Sequence, residues 1–353
     1  MSMNTPVLRR RLTAGLVATV FVATGGLLVS PASALAADAA HRSLRSASNP
    51  DWMRRLPDGA NLAALSLPGT HDTLSIHGGA WTQTQENHGN SAATLAAQLD
   101  AGVRAIDIRA RISGGNTFTI HHGATYQQAN FDDVLNVLGS FLVARPTETV
   151  VMRLKHECTG EFGSCTDVTG QLGFADIFDR YRDARPGLFW GPSVNRRTGA
   201  AVPTLGAVRG KVVLAVLHGS RGGRHGQYGL AQFADWGDGS STYVQDDYHV
   251  PNVGAIATKR DRVRRHLDTT SAGDPTRMYV NFTSGASVFA TPESVAGGAL
   301  GVQGVNPFLL TYLSEGSEVH PPVRRTGMLM MDFPGGGLID RIIAVNAGVG
   351  PSS

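Results

Sequence analysis

The sequence contains few of the residues and motifs that hold metal ions or cross-link a chain. Only two cysteines occur among the 353 residues, Cys158 and Cys165, and they flank a short loop. Two thiolates alone would make an incomplete metal site, and in an exported chain this spacing favours a local disulfide. No HExxH motif, CxxC pair or EF-hand spacing is present. We therefore expect no metal and no other cofactor.

Long apolar runs are also scarce, and the one near the N-terminus has the features of a signal peptide. Arg9–Arg11 precede the apolar residues 12–29, and Ala34–Ala36 forms a small-residue cleavage pattern. Thr and Gly interrupt the run, which argues against a membrane anchor. No second run is long enough to cross a bilayer. We expect a secretory signal over residues 1–36, cleavage near Ala36 and a secreted protein.

An excess of charge of one sign is missing once the signal is removed. The whole chain has 31 basic and 28 acidic residues, but the signal holds three arginines and no acid, which leaves 28 of each. A neutral mature chain is a poor candidate for nucleic-acid binding driven by net charge. It can approach a membrane, although not mainly through net charge.

Short β-type runs recur along the chain and alternate with helical patterns. Several of these runs are continuously apolar, which is typical of parallel strands covered on both faces. Strands are predicted over residues 62–67, 103–109, 117–122, 149–155, 211–217, 277–282 and 327–333. Helices are predicted over residues 91–102, with Ser91 as cap, and over residues 130–146, 168–183 and 256–270, the last as a solvated face.

This alternation predicts an α/β fold, a single and somewhat irregular (β/α) barrel of the TIM type. The barrel is expected to occupy residues 51–346. Residues 37–50 are predicted to be a flexible lead-in, and residues 347–353 a disordered tail.

Polar residues stand at the carboxyl ends of most predicted strands. They are His71, Asp72, Asp107, Arg109, His121, His122, Lys155, Glu157, Asn281 and Asp332. The carboxyl ends of barrel strands meet on the face that carries the active site, so we expect these residues to converge. Alternation along a strand sends His121 and His122 to opposite sides, so at most one of them enters the site.

The residue types in this set suit one kind of chemistry. Two histidines can divide base and acid work near neutral pH, and each needs a carboxylate to orient its ring. Asp72 and Asp332 are available for this purpose. An arginine offers a permanently charged donor fork for phosphate. Together they could cleave a phosphodiester without a metal.

Each of these residues also has a structural alternative. A histidine at a strand end is more often a structural hydrogen-bonding group than a catalyst. Lys155 and Glu157 can form an ion pair, and Asp107 can hold Arg109 in place.

Several segments resemble those of the bacterial phosphatidylinositol-specific phospholipase C family, the X-domain fold. They are LPGTHDT, GVRAIDIRARISGGNTFTIHHGATY, ETVVMRLKHE, VQDDY, YVNFTS and TGMLMMDF, in family order between Trp52 and Asn346. The second segment, an Asp-x-Arg strand followed by a His-His-Gly end, is the most specific. The resemblance implies an irregular (β/α) barrel that cleaves phosphatidylinositol. In this family the inositol 2-hydroxyl attacks phosphorus, which releases diacylglycerol and inositol 1,2-cyclic phosphate.

The same resemblance implies a catalytic role for five residues. His71 falls on the general base, with Asp332 as its orienting carboxylate. His122 falls on the general acid, coupled to Asp72. Arg109 falls on the arginine that binds phosphate where animal relatives use calcium, which implies a metal-independent enzyme.

Substrate-binding positions carry over as well. Lys155, Asp246 and Tyr248 match family positions that contact inositol, the tyrosine by stacking on the ring. Asp107 and Glu157 are assigned to the same substrate-binding group.

One position that contacts the head group departs from the family pattern. A further family arginine aligns with Leu217, and only a shifted alignment would let Arg221 or Arg224 replace it. One alternative is therefore the same chemistry on another lipid head group. Two others are an inert lipid-binding protein, disfavoured by the complete catalytic set, and a metal-dependent glycerophosphodiester phosphodiesterase, disfavoured by Arg109.

The expected partner is a membrane phospholipid, met by a monomer through transient contact with the membrane surface. Trp81 resembles a tryptophan that family members insert into the lipid interface, and Trp236 is a second, weaker candidate. The alternative for Trp81 is a buried residue at the start of a helix.

Overall fold

The computed structural model describes residue 1 and residues 39–158, 165–196, 199–217, 228–233, 242–314 and 320–350. Apart from Met1, the predicted signal and its cleavage site lie outside this part of the chain. The described strands are β1 (Leu67–Thr70), β2 (Ala105–Ser113), β3 (Thr117–His122), β4 (Thr125–Asn130), β5 (Val150–His156), β6 (Val212–Leu217), β7 (Val244–Gln245), β8 (Val280–Phe282), β9 (Gly298–Ala299), β10 (Val302–Gln303) and β11 (Met328–Met331).

Helices follow most of these strands. The described α-helices are α1 (Ser91–Ala101), α2 (Phe131–Ala144), α3 (Phe174–Asp183), α4 (Leu205–Val208), α5 (Ile256–Ala272), α6 (Pro292–Gly297), α7 (Val305–Ser314) and α8 (Gly336–Ala344). Short 3-10 helices lie at Trp52–Arg55, Leu62–Ala64, Gly79–Trp81, Gly191–Val194, Val253–Ala255 and Val345–Gly348. None of the helices within the described ranges has the length and apolar character needed to cross a membrane.

Seven parallel strands curl into an open barrel. In spatial order they are β7, β8, β11, β1, β2, β5 and β6. Within the described ranges β6 and β7 do not pair with each other, so the sheet stays open between them. The predicted α/β barrel is confirmed, and this opening is one of its irregularities.

Side-chain alternation along the strands separates two hydrophobic cores. Ile106 and Ile108 of β2 pack in the core that includes Leu138 of α2. Ala105 of the same strand belongs to a second core with Met330 of β11. Successive side chains of a strand point to opposite faces, so the first core lies between sheet and helices and the second fills the barrel.

The predicted third strand does not join the parallel barrel. β3 runs antiparallel to β2, and β4 extends this hairpin. Ile120 stands opposite Ala110, so the chain returns His122 to about the level of Ile108. His122 therefore reaches the carboxyl-end face on a returning strand, and not at the top of a parallel strand as the sequence interpretation assumed.

The described part of the predicted lead-in contacts the barrel, and the predicted tail begins within a 3-10 helix. In the lead-in, Ala40 and Leu44 are buried. The Arg42 N–H donates to the Phe333 carbonyl at 2.7 Å, which fixes the lead-in beside the segment after β11. At the other end, Val345–Gly348 forms a 3-10 helix, and residues 351–353 lie outside the described ranges.

The first strand and helix α1 begin at other residues than predicted, because asparagine side chains cap the backbone nearby. The first strand begins only at Leu67, since Leu62–Ala64 form a 3-10 helix capped by Asn61. Helix α1 is capped by the Asn90 side chain, and not by Ser91 as predicted. Asparagine is among the preferred N-cap residues because its side-chain oxygen accepts a hydrogen bond from a free N–H of the first turn.

Candidate active site

Inward-facing residues at the carboxyl ends of four parallel strands form the candidate site. The register of β1 and β11 brings His71 beside Asp332. On the other side of β1, Arg109 of β2 stands opposite Lys155 of β5. These four residues continue the inward-facing alternation of their strands, so the sheet register sets their positions.

His71 lies between a carboxylate and a guanidinium. Its Nδ1 is 2.9 Å from Asp332 Oδ1, and its Nε2 is 2.6 Å from Arg109 Nη2. Arginine can only donate, so this short contact requires an unprotonated Nε2, and Nδ1 then carries the proton toward Asp332. The edge of the Phe282 ring supports the imidazole, with ring centroids 5.8 Å apart. Nε2 of His71 is thus the unprotonated nitrogen, and it accepts from the Arg109 guanidinium.

The surroundings keep this imidazole neutral. Burial, and after it the charge of Arg109, lowers the pKa of His71 well below its ordinary value. Burial, and after it the charge of Asp72, raises the pKa of Asp332 well above its ordinary value. A side-chain N–H of Asn306 donates to the Asp332 carbonyl at 2.8 Å and fixes the strand end. The pair can therefore accept a proton at neutral pH.

His122 is held by the loop that follows β1. Its Nδ1 lies 2.6 Å from the Thr82 carbonyl, 3.0 Å from Ser75 Oγ and 3.3 Å from Asp72 Oδ2. The Ser75 hydroxyl donates to the same Thr82 carbonyl at 2.6 Å. A carbonyl can only accept, so Nδ1 carries a proton and Nε2 is left for other chemistry. Sequence interpretation overlooked Ser75 and Thr82 because the hydrogen bond to His122 depends on how the loop folds back.

Asp72 connects the two histidine environments. Its φ of 41° lies in the left-handed region, which aspartate tolerates better than most residues. Its buried Oδ2 lies 3.3 Å from His122 Nδ1 and 3.6 Å from Arg109 Nη1. Burial raises the pKa of Asp72 to about 6, although the charges of His122 and Arg109 oppose that rise.

Asp107 lies one layer deeper in the barrel and holds this arrangement. Its Oδ2 accepts hydrogen bonds from Arg109 Nε and from the Asp72 N–H, both at 3.1 Å. Its Oδ1 accepts from Arg153 Nη1 at 3.3 Å. Burial alone would raise the pKa of Asp107, but the charges of Arg109 and Arg153 hold it far below its ordinary value. Asp107 is fully buried and holds Arg109, as the structural alternative describes, and its substrate contact stays a prediction.

Arg153 is the charged residue that the sequence interpretation missed. It is 5% exposed, and its guanidinium also lies over the Phe282 ring, 5.8 Å from the centroid. The signal was available, because Arg153 stands two residues before Lys155 and therefore points to the same side of β5.

Lys155 and Glu157 form an ion pair at the rim of the site. The distance from Lys155 Nζ to Glu157 Oε2 is 3.0 Å. The Gly123 N–H donates to Glu157 Oε1 at 2.7 Å, which ties the β3–β4 turn to the site. Burial opposes the ionisation of Glu157, but the charges of Arg109 and Lys155 lower its pKa. Substrate contact by Lys155 and Glu157 stays a prediction.

Leu217 does not mark a missing group in the pocket. Ala215 is an extra residue in β6, because Met152 and Arg153 of β5 stand opposite Leu214 and Val216. This bulge turns the buried Leu217 toward the core between sheet and helices. An arginine there would point away from the site. Arg221 and Arg224 lie outside the described residues.

Two other polar strand-end residues also point away from the pocket. The Asn281 side chain donates to the Val263 carbonyl of α5 at 2.9 Å. The His121 ring packs on Tyr126, with centroids 5.4 Å apart, while His122 enters the site. Alternation thus separates the two histidines as expected.

Asp246 and Tyr248 follow β7 directly. The Tyr248 N–H donates to the Asp246 carbonyl at 3.0 Å, and the Ala286 N–H donates to the Tyr248 carbonyl at 2.8 Å. The Tyr248 side chain is 67% exposed. Its ring is therefore available to stack on a ligand, as the resemblance implies.

Large apolar side chains are exposed on two loops that follow the carboxyl ends of β1 and β8. Trp81 is 58% exposed, so the buried alternative for this residue is wrong. Val288 and Phe289 are 70% and 76% exposed on the loop after β8. Trp236, the other rim candidate, lies outside the described residues.

Cys158 and Cys165 are joined by a disulfide, with their Cα atoms 4.8 Å apart. Within the described ranges, no group of three or more His, Cys, Asp or Glu side chains is arranged to hold a metal ion. The cationic guanidinium of Arg109 contacts His71 and lies near Asp72.

Comparisons with known proteins point to one enzyme family. The family model for the X domain of phosphatidylinositol-specific phospholipase C matches residues 65–216. A 1-phosphatidylinositol phosphodiesterase of Listeria monocytogenes is 32% identical over 296 residues, which cover 84% of each chain. A protein of the same name from Staphylococcus aureus is 28% identical over 323 residues, 84% of this chain and 92% of the relative.

Solved structures give the same result. The phosphatidylinositol-specific phospholipase C of Listeria monocytogenes superposes with a TM-score of 0.64 at 30% identity. The match covers 85% of this chain and 99% of that one. A Staphylococcus aureus phosphatidylinositol-specific phospholipase C also has a TM-score of 0.64, at 26% identity, with 86% and 99% covered.

Replacing Asp107 by Asn should strongly destabilise the fold. The change leaves Arg109 and Arg153 without their shared buried counter-charge, for which we expect a loss of about 3–5 kcal/mol in the free energy of unfolding. Urea denaturation measures this loss. The matched control is Asp132→Asn, which breaks a more exposed pair with Arg185 and should change stability little. Equal effects of the two changes would contradict the role given to Asp107.

Proposed function

The chain belongs to the phosphatidylinositol-specific phospholipase C X-domain family, and from this premise we propose that it cleaves phosphatidylinositol without a metal ion. The arrangement around Arg109 carries the proposal. Its guanidinium contacts Nε2 of His71 and lies near Asp72, the carboxylate beside His122. A phosphate that replaces the His71–Arg109 contact would meet a base, a permanent cation and an acid together.

The first step is attack by the inositol 2-hydroxyl on phosphorus. His71 Nε2 accepts the hydroxyl proton as the new P–O bond forms, and Asp332 stabilises the resulting imidazolium through Nδ1–H. Arg109 donates to the phosphate oxygens and offsets their charge. A guanidinium stays charged at any relevant pH, so it can supply the positive charge that a metal ion would otherwise supply.

The leaving group takes its proton from the other histidine. Protonated His122 donates from Nε2 to the diacylglycerol oxygen as the old P–O bond breaks, while the Thr82 carbonyl and Asp72 hold Nδ1. The products are diacylglycerol and inositol 1,2-cyclic phosphate. In a slower second step the two histidines exchange roles, and water opens the cyclic ester to inositol 1-phosphate.

The head group is recognised at the mouth of the barrel. Lys155 and Asp246 bind inositol hydroxyls, and the exposed Tyr248 stacks on the face of the ring. With Leu217 turned to the core, its identity no longer argues for a different head group. Phosphatidylinositol is therefore the substrate that the described residues favour.

The substrate lies in a membrane, so the enzyme must meet its surface. Trp81, Val288 and Phe289 expose apolar side chains that can enter the interface for the duration of a catalytic cycle. The signal pattern over residues 1–36 would deliver the mature protein outside the cell, where it acts as a monomer.

Phosphorus NMR on phosphatidylinositol micelles with EDTA present tests the proposal. A transient inositol 1,2-cyclic phosphate signal is expected, because the 2-hydroxyl is the nucleophile and no metal takes part. His71→Ala and His122→Ala should each abolish the signal while the melting temperature stays nearly unchanged. Turnover only after addition of calcium would contradict the role of Arg109. No turnover in either condition would exclude this substrate.

The pH dependence should identify Asp72. Its pKa of about 6 leaves the carboxylate ionised above that pH and neutral below it, whereas the lowered pKa of His71 keeps the base neutral throughout. We expect kcat/KM for a soluble substrate to fall as the pH drops below about 6. Asp72→Asn should lower activity and remove this acid limb. Glu157→Gln should retain the limb because the pKa of Glu157 is lowered, and a retained limb in Asp72→Asn would contradict the assignment.

Trp81→Ala should separate membrane contact from chemistry. Removing this exposed ring is expected to weaken binding to phosphatidylcholine vesicles containing phosphatidylinositol by about tenfold, because the indole no longer enters the interface. Turnover of a soluble inositol phosphodiester should stay within about twofold. The control is Val143→Ala, an exposed apolar residue of α2 that should affect neither measurement. Equal losses on vesicles and on the soluble substrate would make Trp81 a fold residue.

A further inference from the structure

Lys259 is a buried lysine on a helix that was expected to present a solvated face. Helix α5 carries many charged residues, yet Lys259 is only 2% exposed. Its Nζ donates to the Asp247 carbonyl at 2.8 Å and contacts Gln245 Oε1 at 3.2 Å. The ammonium is therefore directed at the segment 245–248, which carries Asp246 and Tyr248.

These contacts belong to a closed chain of hydrogen bonds. Gln245 Oε1 also accepts from the Asp247 N–H at 2.8 Å, and Gln245 Nε2 donates to Asn281 Oδ1 at 2.7 Å. Asn281 in turn donates to the Val263 carbonyl at 2.9 Å. Lys259 and Val263 are four residues apart and so lie on one face of α5. The segment after β7 is thus held to the helix at two points one turn apart.

A buried ammonium is costly, so its retention needs a reason. Burial lowers the pKa of Lys259 to about 8, and the nearby charges of Asp246, Asp247 and Asp332 oppose this shift. The amine therefore stays mainly protonated at neutral pH. Asp246 is a proposed inositol ligand, and Asp332 orients the proposed base.

We propose that Lys259 is a positioning residue for head-group recognition, which fixes the segment 245–248 so that Asp246 and Tyr248 meet the inositol ring. This inference rests on the proposed function and deepens it. Lys259 does not touch the substrate and acts only through the segment that it holds. Without its ammonium, the Asp247 carbonyl and Gln245 Oε1 lose a charged donor, and the segment can move.

A matched control lies on the same helix. Arg262 Nη1 pairs with Asp247 Oδ2 at 3.1 Å, but both side chains are more than one-third exposed. Arg262→Met also removes a positive charge that contacts Asp247, but it does so at the surface, where an ion pair contributes little. Lys259→Met keeps the apolar stem and removes only the buried ammonium.

The test compares two soluble phosphodiesters with the same leaving group. One is an ester of inositol, and the other is an ester of cis-1,2-cyclohexanediol. The diol keeps the attacking hydroxyl but lacks the remaining ring hydroxyls of inositol. The preference, defined as the ratio of the two kcat/KM values, should fall about tenfold in Lys259→Met, the size expected for a lost hydrogen bond to a charged group. It should stay within about twofold in Arg262→Met. General loss of folded protein would lower both values equally and leave the preference unchanged.

A double-mutant cycle with Asp246→Ala completes the experiment. If Lys259 acts through this segment, Lys259→Met should lower the preference little further in the Asp246→Ala background. A preference unchanged by Lys259→Met but lowered by Asp246→Ala would overturn the role of Lys259 and leave the head-group assignment standing. A preference unchanged by Asp246→Ala would overturn that assignment, and the inference with it. If Lys259→Met is unfolded at the assay temperature, Lys259→Gln is judged by the same criteria.

Discussion

The buried carboxylate of Asp107 is the interaction on which the site depends. It joins the backbone after β1, through the Asp72 N–H, to the guanidinium of Arg109 on β2 and to Arg153 on β5. The negative charge of Asp107 lies between the guanidinium groups of Arg109 and Arg153 and offsets the repulsion between them. The Nη2 atom of Arg109 is then free to contact Nε2 of His71. The orientation of His71 thus starts from a buried carboxylate that lies one layer below it.

Alternation explains how much of the site could be read from the sequence. Side chains alternate along a strand, so a residue at a strand end points to the same side as the residue two positions before it. The register of parallel strands then brings the inward-pointing residues together. His71, Arg109, Lys155 and Asp332 obey this rule, and so does the overlooked Arg153. The depth of a residue could not be predicted in the same way, since Asp107 points in the same direction but is fully buried one layer deeper.

The remaining features depend on contacts between distant parts of the chain. No local sequence pattern shows that β3 runs antiparallel to β2. The prediction that His122 enters the site on a parallel strand was therefore wrong, although its position near the site was expected. The lead-in looked flexible because its partner, the segment after Phe333, lies almost 300 residues away. Lys259 was expected to be solvated because the sequence of a charged helix does not show which basic side chain contacts the carbonyl of a distant loop.

The bulge at Ala215 has a consequence for how this barrel can diversify. Every strand carries two alternating sets of side chains, one for the outer core and one for the barrel interior. The bulge absorbs the extra residue, so beyond it Val216 still stands opposite Arg153 and Leu217 opposite Leu154. Deletion of Ala215 would restore regular pairing at this point and would leave Leu217 in the core between sheet and helices. The end of β6 can therefore gain or lose one residue at the bulge while the side chains beside Arg153 keep their places. Chains of this fold that differ at the end of β6 are best compared by the length of that strand before residues are matched.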